Sequence, residues 1–200
     1  MKALFLLCCI ALFTDFQAVG QVSGSNQRLS SVIDSLYAAD QNTAKIKPSD
    51  SAAAAFQRVI RRNFPTVQKI LNTYGYPNYA LVGQESANHY FTLVQHSEFK
   101  QDFQQRVLKI MRRQVKHKNA SGKQYAFLTD RIAITKGKPQ VYGTQLLMSG
   151  NSKVKPCIAP AKLNKRRKSV GLEPIEDYLK KSNELFYEMN PQQRHKPVAN

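Results

Sequence analysis

Apolar residues recur at steps of three and four along most of this chain. A helix turns once every 3.6 residues, so this spacing gathers apolar side chains on one face and is typical of amphipathic helices. The clearest stripe lies in the segment 99–115 and consists of Phe99, Phe103, Val107, Ile110 or Met111, and Val115. We therefore predict a mainly α fold, in which several helices form a single compact domain.

Capping residues, prolines and glycines divide the helical pattern into segments. Asp50 is a suitable N-cap, Pro65 fits the first turn of a helix, and Gly75 is typical of the residue that follows a helix end. Ser97 is placed to cap the helix that carries the 99–115 stripe. The predicted helices are 28–39, 51–63, 66–74, 84–95, the segment from Ser97 to Val115, a short helix through 125–128, 162–170 and 174–187.

The period of the pattern changes to two from Arg131 onward. Ile132 and Ile134 alternate with their neighbours, and residues 136–139 have the turn sequence KGKP. The residues that follow can return as a second strand. We therefore predict one β-hairpin over about residues 131–146.

Residues 1–20 have the features of a secretory signal peptide. Lys2 supplies a positive charge, residues 4–13 form an apolar stretch, and Ala18-Val19-Gly20 offers the small residues that a signal peptidase recognises. The stretch is shorter than the roughly twenty apolar residues that span a bilayer. A buried N-terminal helix is the alternative. We expect cleavage near Gly20 and export to the periplasm or the extracellular space.

The chain beyond the signal peptide is long enough for one domain with its own core. We predict a disordered leader at 21–27, a single α-rich domain at 28–188 and a flexible tail at 189–200. The mature chain contains no second apolar run that suggests a transmembrane segment.

Cysteine usage leaves one thiol in the mature chain. Cys8 and Cys9 lie in the predicted signal peptide, so only Cys157 remains and no intrachain disulfide can form. A single thiol in an oxidising compartment is buried, paired with another chain, or free. Because Pro156 and Pro160 stand near Cys157, we predict a packed connector with a buried, unreactive thiol.

The formal net charge is +17, and it remains +17 after cleavage because Lys2 and Asp15 cancel. The basic residues cluster at 61–62, 112–118, 165–168 and 180–181. A field of this sign attracts an anionic polysaccharide or an anionic cell-envelope surface. Solubility, or the pairing of cations with helix C-termini, explains the charge without a partner. We do not expect specific nucleic-acid binding, because no base-reading motif is present.

Two polar residues in apolar surroundings are candidates for acid–base chemistry. His96 lies at a predicted helix junction, where an imidazole can serve as a general acid or base. Asp130, which precedes the predicted hairpin, is a candidate to orient that imidazole. The alternatives are structural: the histidine fastens a helix to a loop carbonyl, and the aspartate accepts backbone hydrogen bonds.

The predicted hairpin also supplies donors and acceptors for a ligand. Arg131 can present two parallel N–H groups to an anion. The other candidates, which can bind sugar hydroxyls or a carboxylate, are Gln140, Tyr142, Thr144 and Gln145. An internal clamp by Arg131 and strand pairing by the others are the structural alternatives.

We predict no metal site and no cofactor. Glu85, His89 and His96 share one helical face, but the two imidazoles lie about 10 Å apart along a helix axis, which is too far to share one ion. The sequence also contains no HExxH motif, no GxSxG elbow and no phosphate loop. The motifs therefore leave open whether the protein is an enzyme.

Four blocks of the sequence carry a family resemblance. They read YGYPNYALVG, LVQHSE, YAFLTDRIAITKGKPQVYGTQ and NKRRKSVGLEPIEDYL, and they span about Gly75 to Tyr178. Together they resemble an uncharacterised bacterial domain-of-unknown-function family, although Tyr76 stands where that family often has tryptophan. The resemblance implies the location of a site rather than a reaction, at Gln95, His96, Asp130, Arg131, Gln140, Tyr142, Thr144, Gln145, Arg166 and Arg167.

Three functional hypotheses follow. The first is a binding module for an anionic or sugar-like ligand of the envelope, with a groove lined by His96, Arg131, Tyr142 and Gln145 and flanked by Arg166 and Arg167. The second is a hydrolase-like enzyme in which His96 is the acid or base and Asp130 its orienter. In the third hypothesis these polar residues are purely structural.

Overall fold

The computed structural model describes residues 26–44 and 50–193. The predicted fold class is confirmed, because these residues form seven α-helices and one two-stranded antiparallel sheet. Within the same residues, no helix has both the length and the apolar character needed to cross a membrane. The elements are α1 Gln27–Ala44, α2 Asp50–Tyr74, α3 Tyr79–His96, α4 Gln101–Lys116, α5 Gly122–Thr135, β1 Leu146–Leu147, β2 Lys153–Val154, α6 Leu163–Ser169 and α7 Ile175–Met189, with 3₁₀ turns at Pro160–Lys162 and Pro191–Gln193.

The chain divides into two compact units, unit 1 at residues 1–97 and unit 2 at residues 98–200. The described part of unit 1 contains α1 to α3, and that of unit 2 contains α4 to α7 and the sheet. The single domain predicted over 28–188 stays a prediction. The flexible tail predicted for 189–200 also stays a prediction; its first residues contain the last residue of α7 and a 3₁₀ turn at Pro191–Gln193.

Helix α1, the first element of the described chain, begins with a side-chain cap. The signal peptide predicted for residues 1–20 lies outside the described residues, as does most of the leader predicted for 21–27. Asn26, at the end of that leader, caps α1: its side-chain oxygen accepts a hydrogen bond from the backbone N–H of Leu29 at 3.0 Å. Such a bond satisfies one of the N–H groups that a helix leaves unpaired at its start.

In unit 1, α1 packs against both α2 and α3. Ile33 of α1, Val67 of α2 and Phe91 of α3 are at most 1% exposed. Burying a side chain of this size stabilises a fold by about 1.5–3 kcal/mol. The Tyr90 hydroxyl donates to the Val67 carbonyl at 3.0 Å, which joins α3 to α2 within the core.

Helix α2 is continuous where the sequence predicted two helices, at 51–63 and 66–74. Pro65 lies inside it, and proline removes one backbone hydrogen bond from a helix interior. Burial on both sides of the proline holds the helical backbone in place. Phe64 and Val67 are buried, and the Asn63 amide donates to the Leu36 carbonyl of α1 at 3.2 Å.

Helix α3 begins five residues before the predicted start at 84, at Tyr79. The Asn78 side chain caps it by accepting from the Leu81 N–H at 3.0 Å. Gly83 then interrupts the helical backbone with a φ of 80°, a value that side chains other than glycine rarely adopt. The regular part of α3 therefore starts after Gly83, close to the prediction.

The central part of the predicted 99–115 stripe is confirmed in α4 of unit 2, whereas Phe99 lies before the helix and both Phe99 and Val115 are only partly buried. Phe103, Val107 and Met111 are all 0% exposed, so Met111 rather than Ile110 occupies the ambiguous position. The predicted Ser97 cap is wrong: the N-cap of α4 is Lys100. The Ser97 hydroxyl instead donates to the Leu93 carbonyl at 2.8 Å, at the end of α3.

The hairpin lies further along the chain than the predicted 131–146. Helix α5 continues to Thr135, and the observed strands pair Leu146 with Val154 and Leu147 with Lys153. The period-two pattern has a helical cause. The buried residues of α5 lie on two opposite faces of the helix, with Gln124, Leu128 and Ile132 on one face and Ala126 and Asp130 on the other. Residues on each face are four positions apart, so buried residues from the two faces together recur at every second position, as they do in a strand.

Cys157 follows β2 and forms an isolated parallel bridge with Gln140. The thiol is free and partly exposed, which corrects the prediction of a buried side chain. Its sulfur lies 3.5 Å from the Lys155 carbonyl oxygen. Burial, followed by the negative charge of Asp130, raises the pKa of Cys157, which disfavours the reactive thiolate. Cys8 and Cys9 lie outside the described residues.

Candidate functional site

Asp130 in α5 organises the loop of residues 140–145, which we call the clamped loop. Its carboxylate is 0% exposed. It accepts hydrogen bonds from the backbone N–H groups of Val141 at 2.7 Å, Tyr142 at 3.0 Å and Thr144 at 2.9 Å, and from the Thr144 hydroxyl at 3.0 Å. The N–H groups and the hydroxyl of the loop thereby hold it against α5.

Arg167 in α6 holds the carbonyl side of the clamped loop. Its guanidinium donates to the Tyr142 carbonyl at 2.8 Å and to the Glu173 carbonyl at 2.7 Å. It lies 4.9 Å from the centre of the Tyr178 ring, whose hydroxyl donates to the Thr144 carbonyl at 3.0 Å. Burial lowers the pKa of Arg167, against which Tyr178 and Glu173 act to raise it.

Arg166 connects the clamped loop to the segment after β2. Its Nε donates to the Val141 carbonyl at 2.6 Å. Its other two nitrogens donate to the carbonyls of Ile158 at 2.6 Å and Ala159 at 3.2 Å. Unlike Arg167, Arg166 is only half-buried. Both neighbouring arginines therefore bind backbone carbonyls.

Gln140 and Gln145 close the clamped loop on itself. The Gln140 amide donates to the carbonyls of Gln145 at 3.0 Å and Lys155 at 2.9 Å, and its oxygen accepts from the Gln145 N–H at 2.7 Å. Gly143, between them, has a φ of 67°, and an added Cβ would lie 3.2 Å from Val154. The loop needs glycine there both for its conformation and for the close approach of β2.

Most of the predicted ligand-binding residues are therefore engaged within unit 2. Gln140, Thr144 and Arg167 are buried, and the polar groups of Gln145 and Arg166 bond inside the protein. Arg131 forms an ion pair with Glu98. Ligand binding by these residues, like the catalytic role of Asp130, stays a prediction.

Tyr142 is partly exposed, whereas Gln140 and Thr144 are buried. The ring packs edge-to-face with Tyr125, with centroids 6.5 Å apart. Burial, then the charges of Tyr125 and Asp130, raises the pKa of Tyr142, while the charges of Arg166 and Arg112 lower it. A positive charge on α4, that of Arg112, therefore affects the pKa of the Tyr142 phenol.

The outer face of α4, which we call the basic face, is dense in positive charge. It is opposite the buried stripe, and Asp102 is the single acidic residue of the helix. The basic face spans about 15 Å at 1.5 Å per residue. Its exposed cations are Arg106, Lys109, Arg112, Arg113 and Lys116.

His96 lies at the end of α3 in unit 1, where its partner is Asp40 of α1. His96 Nδ1 is 2.9 Å from Asp40 Oδ2 and 3.0 Å from Oδ1. The Asp40 side chain is 1% exposed and that of His96 12%. Phe56 of α2 packs edge-on against the imidazole, with ring centroids 5.2 Å apart.

A second histidine–aspartate pair joins the same two helices. His89 Nδ1 lies 2.8 Å from Asp34 Oδ1, and the Ser86 hydroxyl donates to Asp34 Oδ2 at 3.0 Å. The His89 ring stacks on Tyr37, with centroids 3.9 Å apart. Within the described residues, no three histidine, cysteine or acidic side chains form a group that could hold a metal ion.

Sequence reasoning found the two histidines and missed their partners. Asp34, Tyr37 and Asp40 stand at steps of three in α1, beside its apolar stripe. Polar residues at such a spacing share one side of a helix, so this signal was available. The sequence alone does not show which histidines that side meets.

A comparison with known families places the chain. The model described as "Family of unknown function (DUF6624)" matches residues 40–189. The chain belongs to DUF6624. The DUF6624 match begins at Asp40 and includes His96, Asp130 and the clamped loop, and it confirms the family resemblance of the four sequence blocks. A search of curated proteins gave no match, and neither did a search of solved structures.

The contacts give the DUF6624 blocks a physical meaning. The LTDR block supplies the buried carboxylate of Asp130, KPQVYGTQ supplies the clamped loop, and NKRRKSVGL supplies Arg166 and Arg167. The carboxylate and both arginines form hydrogen bonds with the clamped loop in unit 2. The LVQHSE block supplies His96, which bonds to Asp40 in unit 1.

Proposed function

We propose that this DUF6624 protein is exported and binds an anionic polysaccharide of the cell envelope through the basic face of α4. One observation carries the proposal: five exposed cations share one face of a helix whose opposite face is fully buried. Packing of the buried face fixes the helix, so the cations form a row of defined spacing.

The charge balance favours a polyanion over a small anionic ligand. The chain as a whole carries +17. Such a field concentrates extended anions at the surface and speeds their association. The attraction weakens as salt is added, because charges separated by more than about 10 Å are screened at 0.1 M salt.

The Tyr125–Tyr142 pair supports a sugar polymer in particular. Aromatic rings offer an apolar surface next to a polar hydroxyl, which suits the faces and edges of a sugar ring. Tyr142 is partly exposed, and the positive charge of Arg112 acts to lower its pKa, so this ring and a cation of the basic face lie in one region of unit 2. Tyr142 is thus the member of the predicted ligand set that we retain as a contact.

The test compares two pairs of exposed arginines. Arg112→Gln with Arg113→Gln removes two charges from the basic face, and Arg61→Gln with Arg62→Gln removes two from α2 as the matched control. Binding to polygalacturonate, a carboxylated polysaccharide, is measured by titration at low and high salt. Each charge lost at contact is worth about 1 kcal/mol in water, so the α4 variant should bind about 30-fold more weakly at low salt.

The control variant should bind within about threefold of the unchanged protein, a difference of under 1 kcal/mol. Equal losses in both variants would mean that net charge alone attracts the polymer. Undiminished binding to neutral dextran, or affinity that does not fall with salt, would contradict the proposal.

For the clamped loop we propose the structural hypothesis. Its buried polar side chains and much of its backbone are hydrogen-bonded within unit 2, and an added ligand would have to displace those bonds at about 1–3 kcal/mol for each group left unpaired. Stability measurements on Asp130 and on the two arginines, given in the Discussion, test this role.

A further inference from the structure

We infer that Asp40 and His96 form an acid–base site in which His96 Nε2 takes a proton from water or from a substrate hydroxyl. The pair lies in unit 1, and the inference does not depend on polysaccharide binding by α4. It replaces Asp130 with Asp40 as the residue that orients the imidazole, because Nδ1 lies within 3.0 Å of both Asp40 oxygens.

The hydrogen bond to Asp40 fixes which imidazole nitrogen carries the proton. An ionised carboxylate only accepts hydrogen bonds, so Nδ1 must be the donor. A neutral imidazole has one N–H, and Nε2 is therefore left with its lone pair. This is the tautomer that a general base requires.

The position of Asp40 strengthens its effect on the imidazole. Its side chain is 1% exposed, and besides His96 it accepts a hydrogen bond from the Gln41 amide at 2.9 Å. A carboxylate in a poorly solvated setting stabilises the imidazolium that forms once Nε2 takes a proton. Burial and the charge of Asp40 raise the pKa of Tyr37, so that phenol remains neutral beside the pair.

Nε2 is accessible, whereas the rest of the ring is held. His96 Nε2 makes no hydrogen bond to any described residue, and it is not one of the fully buried polar atoms that lack a partner. The 12% exposure of the side chain therefore includes this atom. Phe56 and Asp40 fix the plane of the ring.

The His89–Asp34 pair provides a comparison within the same unit. Asp34 is 44% exposed at its side chain, and it shares its second oxygen with the Ser86 hydroxyl. One face of the His89 ring is covered by Tyr37. Water weakens the effect of Asp34 on its imidazole, so we assign the acid–base role to His96 and not to His89.

An activated ester is a suitable probe because its hydrolysis needs only a base and water. With p-nitrophenyl acetate, the water oxygen bonds to the acyl carbon while Nε2 takes the water proton. The bond from that carbon to the p-nitrophenol oxygen then breaks, p-nitrophenolate leaves, and the imidazolium returns its proton to solvent. The probe therefore tests whether the Asp40–His96 pair can activate a water molecule for attack on an acyl carbon.

The experiment measures p-nitrophenolate release by the full-length protein near neutral pH. His96→Gln and Asp40→Asn should each lower the protein-dependent rate by about tenfold or more, since a positioned base contributes 10² to 10⁴. His89→Gln and His117→Gln serve as controls and should stay within about twofold of the unchanged protein, because those imidazoles provide only background hydrolysis. An unchanged rate in His96→Gln overturns the inference.

A second measurement needs no substitution and so does not depend on the folding of a variant. Long-range ¹H–¹⁵N spectra of the histidine rings show which nitrogen carries the proton. We expect His96 to be protonated at Nδ1 with a bare Nε2, and a proton on Nε2 would overturn the inference. In Asp40→Asn the amide donates to Nδ1 and should move the proton to Nε2, which explains the loss of base activity.

Discussion

Asp130 in unit 2 and Asp40 in unit 1 are both 0% exposed, and each lies on a helix. Asp130 binds three backbone N–H groups and a hydroxyl, whereas Asp40 binds the imidazole of His96 and a side-chain amide. A backbone N–H always donates, but an imidazole can exchange the roles of its two nitrogens. The buried carboxylate of Asp130 can therefore only hold a loop in place, whereas that of Asp40 can determine which nitrogen of His96 carries the proton.

The largest expected effect comes from replacing each carboxylate by its amide. Asp130→Asn turns an N–H₂ group toward backbone donors, so it should lower the free energy of unfolding by about 3 kcal/mol. Asp40→Asn should lower it by no more than about 1 kcal/mol, because Nδ1 of His96 can accept from the amide. Urea unfolding of the two variants measures both values. A larger loss of unfolding free energy in Asp40→Asn than in Asp130→Asn would contradict the contrast between the two carboxylates.

An intermediate effect is expected for the two arginines of α6. Arg167→Lys should cost about 2–3 kcal/mol, since one ammonium cannot reproduce the guanidinium fork that reaches two carbonyls and stacks on Tyr178. Arg166→Lys should cost less than about 1 kcal/mol, because water can reach the half-buried carbonyls that it leaves. Thermal and urea unfolding provide the measurement. An equal loss of unfolding free energy in the two variants would show that the burial of the arginine does not determine its contribution to stability.

The smallest effect concerns the pH dependence of Cys157. Burial raises its pKa in the folded protein, so its contribution to stability is present below the ordinary thiol pKa and is lost as pH rises through the folded value. The rate of alkylation by iodoacetamide, followed against pH, should have its midpoint at a higher pH in the native protein than in urea. Coincident midpoints in the two conditions would contradict the desolvation of this thiol.

The sequence predicted the helices well where one apolar face decides the pattern. The stripe of α4 matches its burial, because Phe103, Val107 and Met111 repeat at the helical period. The prediction failed where burial comes from two sides: in α5, both faces are covered, so Ile132 and its neighbours imitate a strand. It also failed at Pro65, where packing of Phe64 and Val67 outweighs the lost hydrogen bond.

The candidate site shows the same division. The motif blocks led to Asp130, the clamped loop, Arg166 and Arg167, all of which bond together in unit 2. They did not predict that these polar groups form hydrogen bonds with one another within unit 2. His96 was selected, but Asp40 was not, because the two residues are 56 positions apart in the chain.

By itself, the sequence determined the helical fold class, the family, the excess of positive charge and the basic face of α4. Each of these depends on composition, on short motifs or on the local period of a helix. Only the tertiary structure decided that Asp40 meets His96 and that Asp130 meets the clamped loop. Those pairings arise from helices and loops that pack across long separations, and a local pattern contains no information about which buried carboxylate a distant donor will reach.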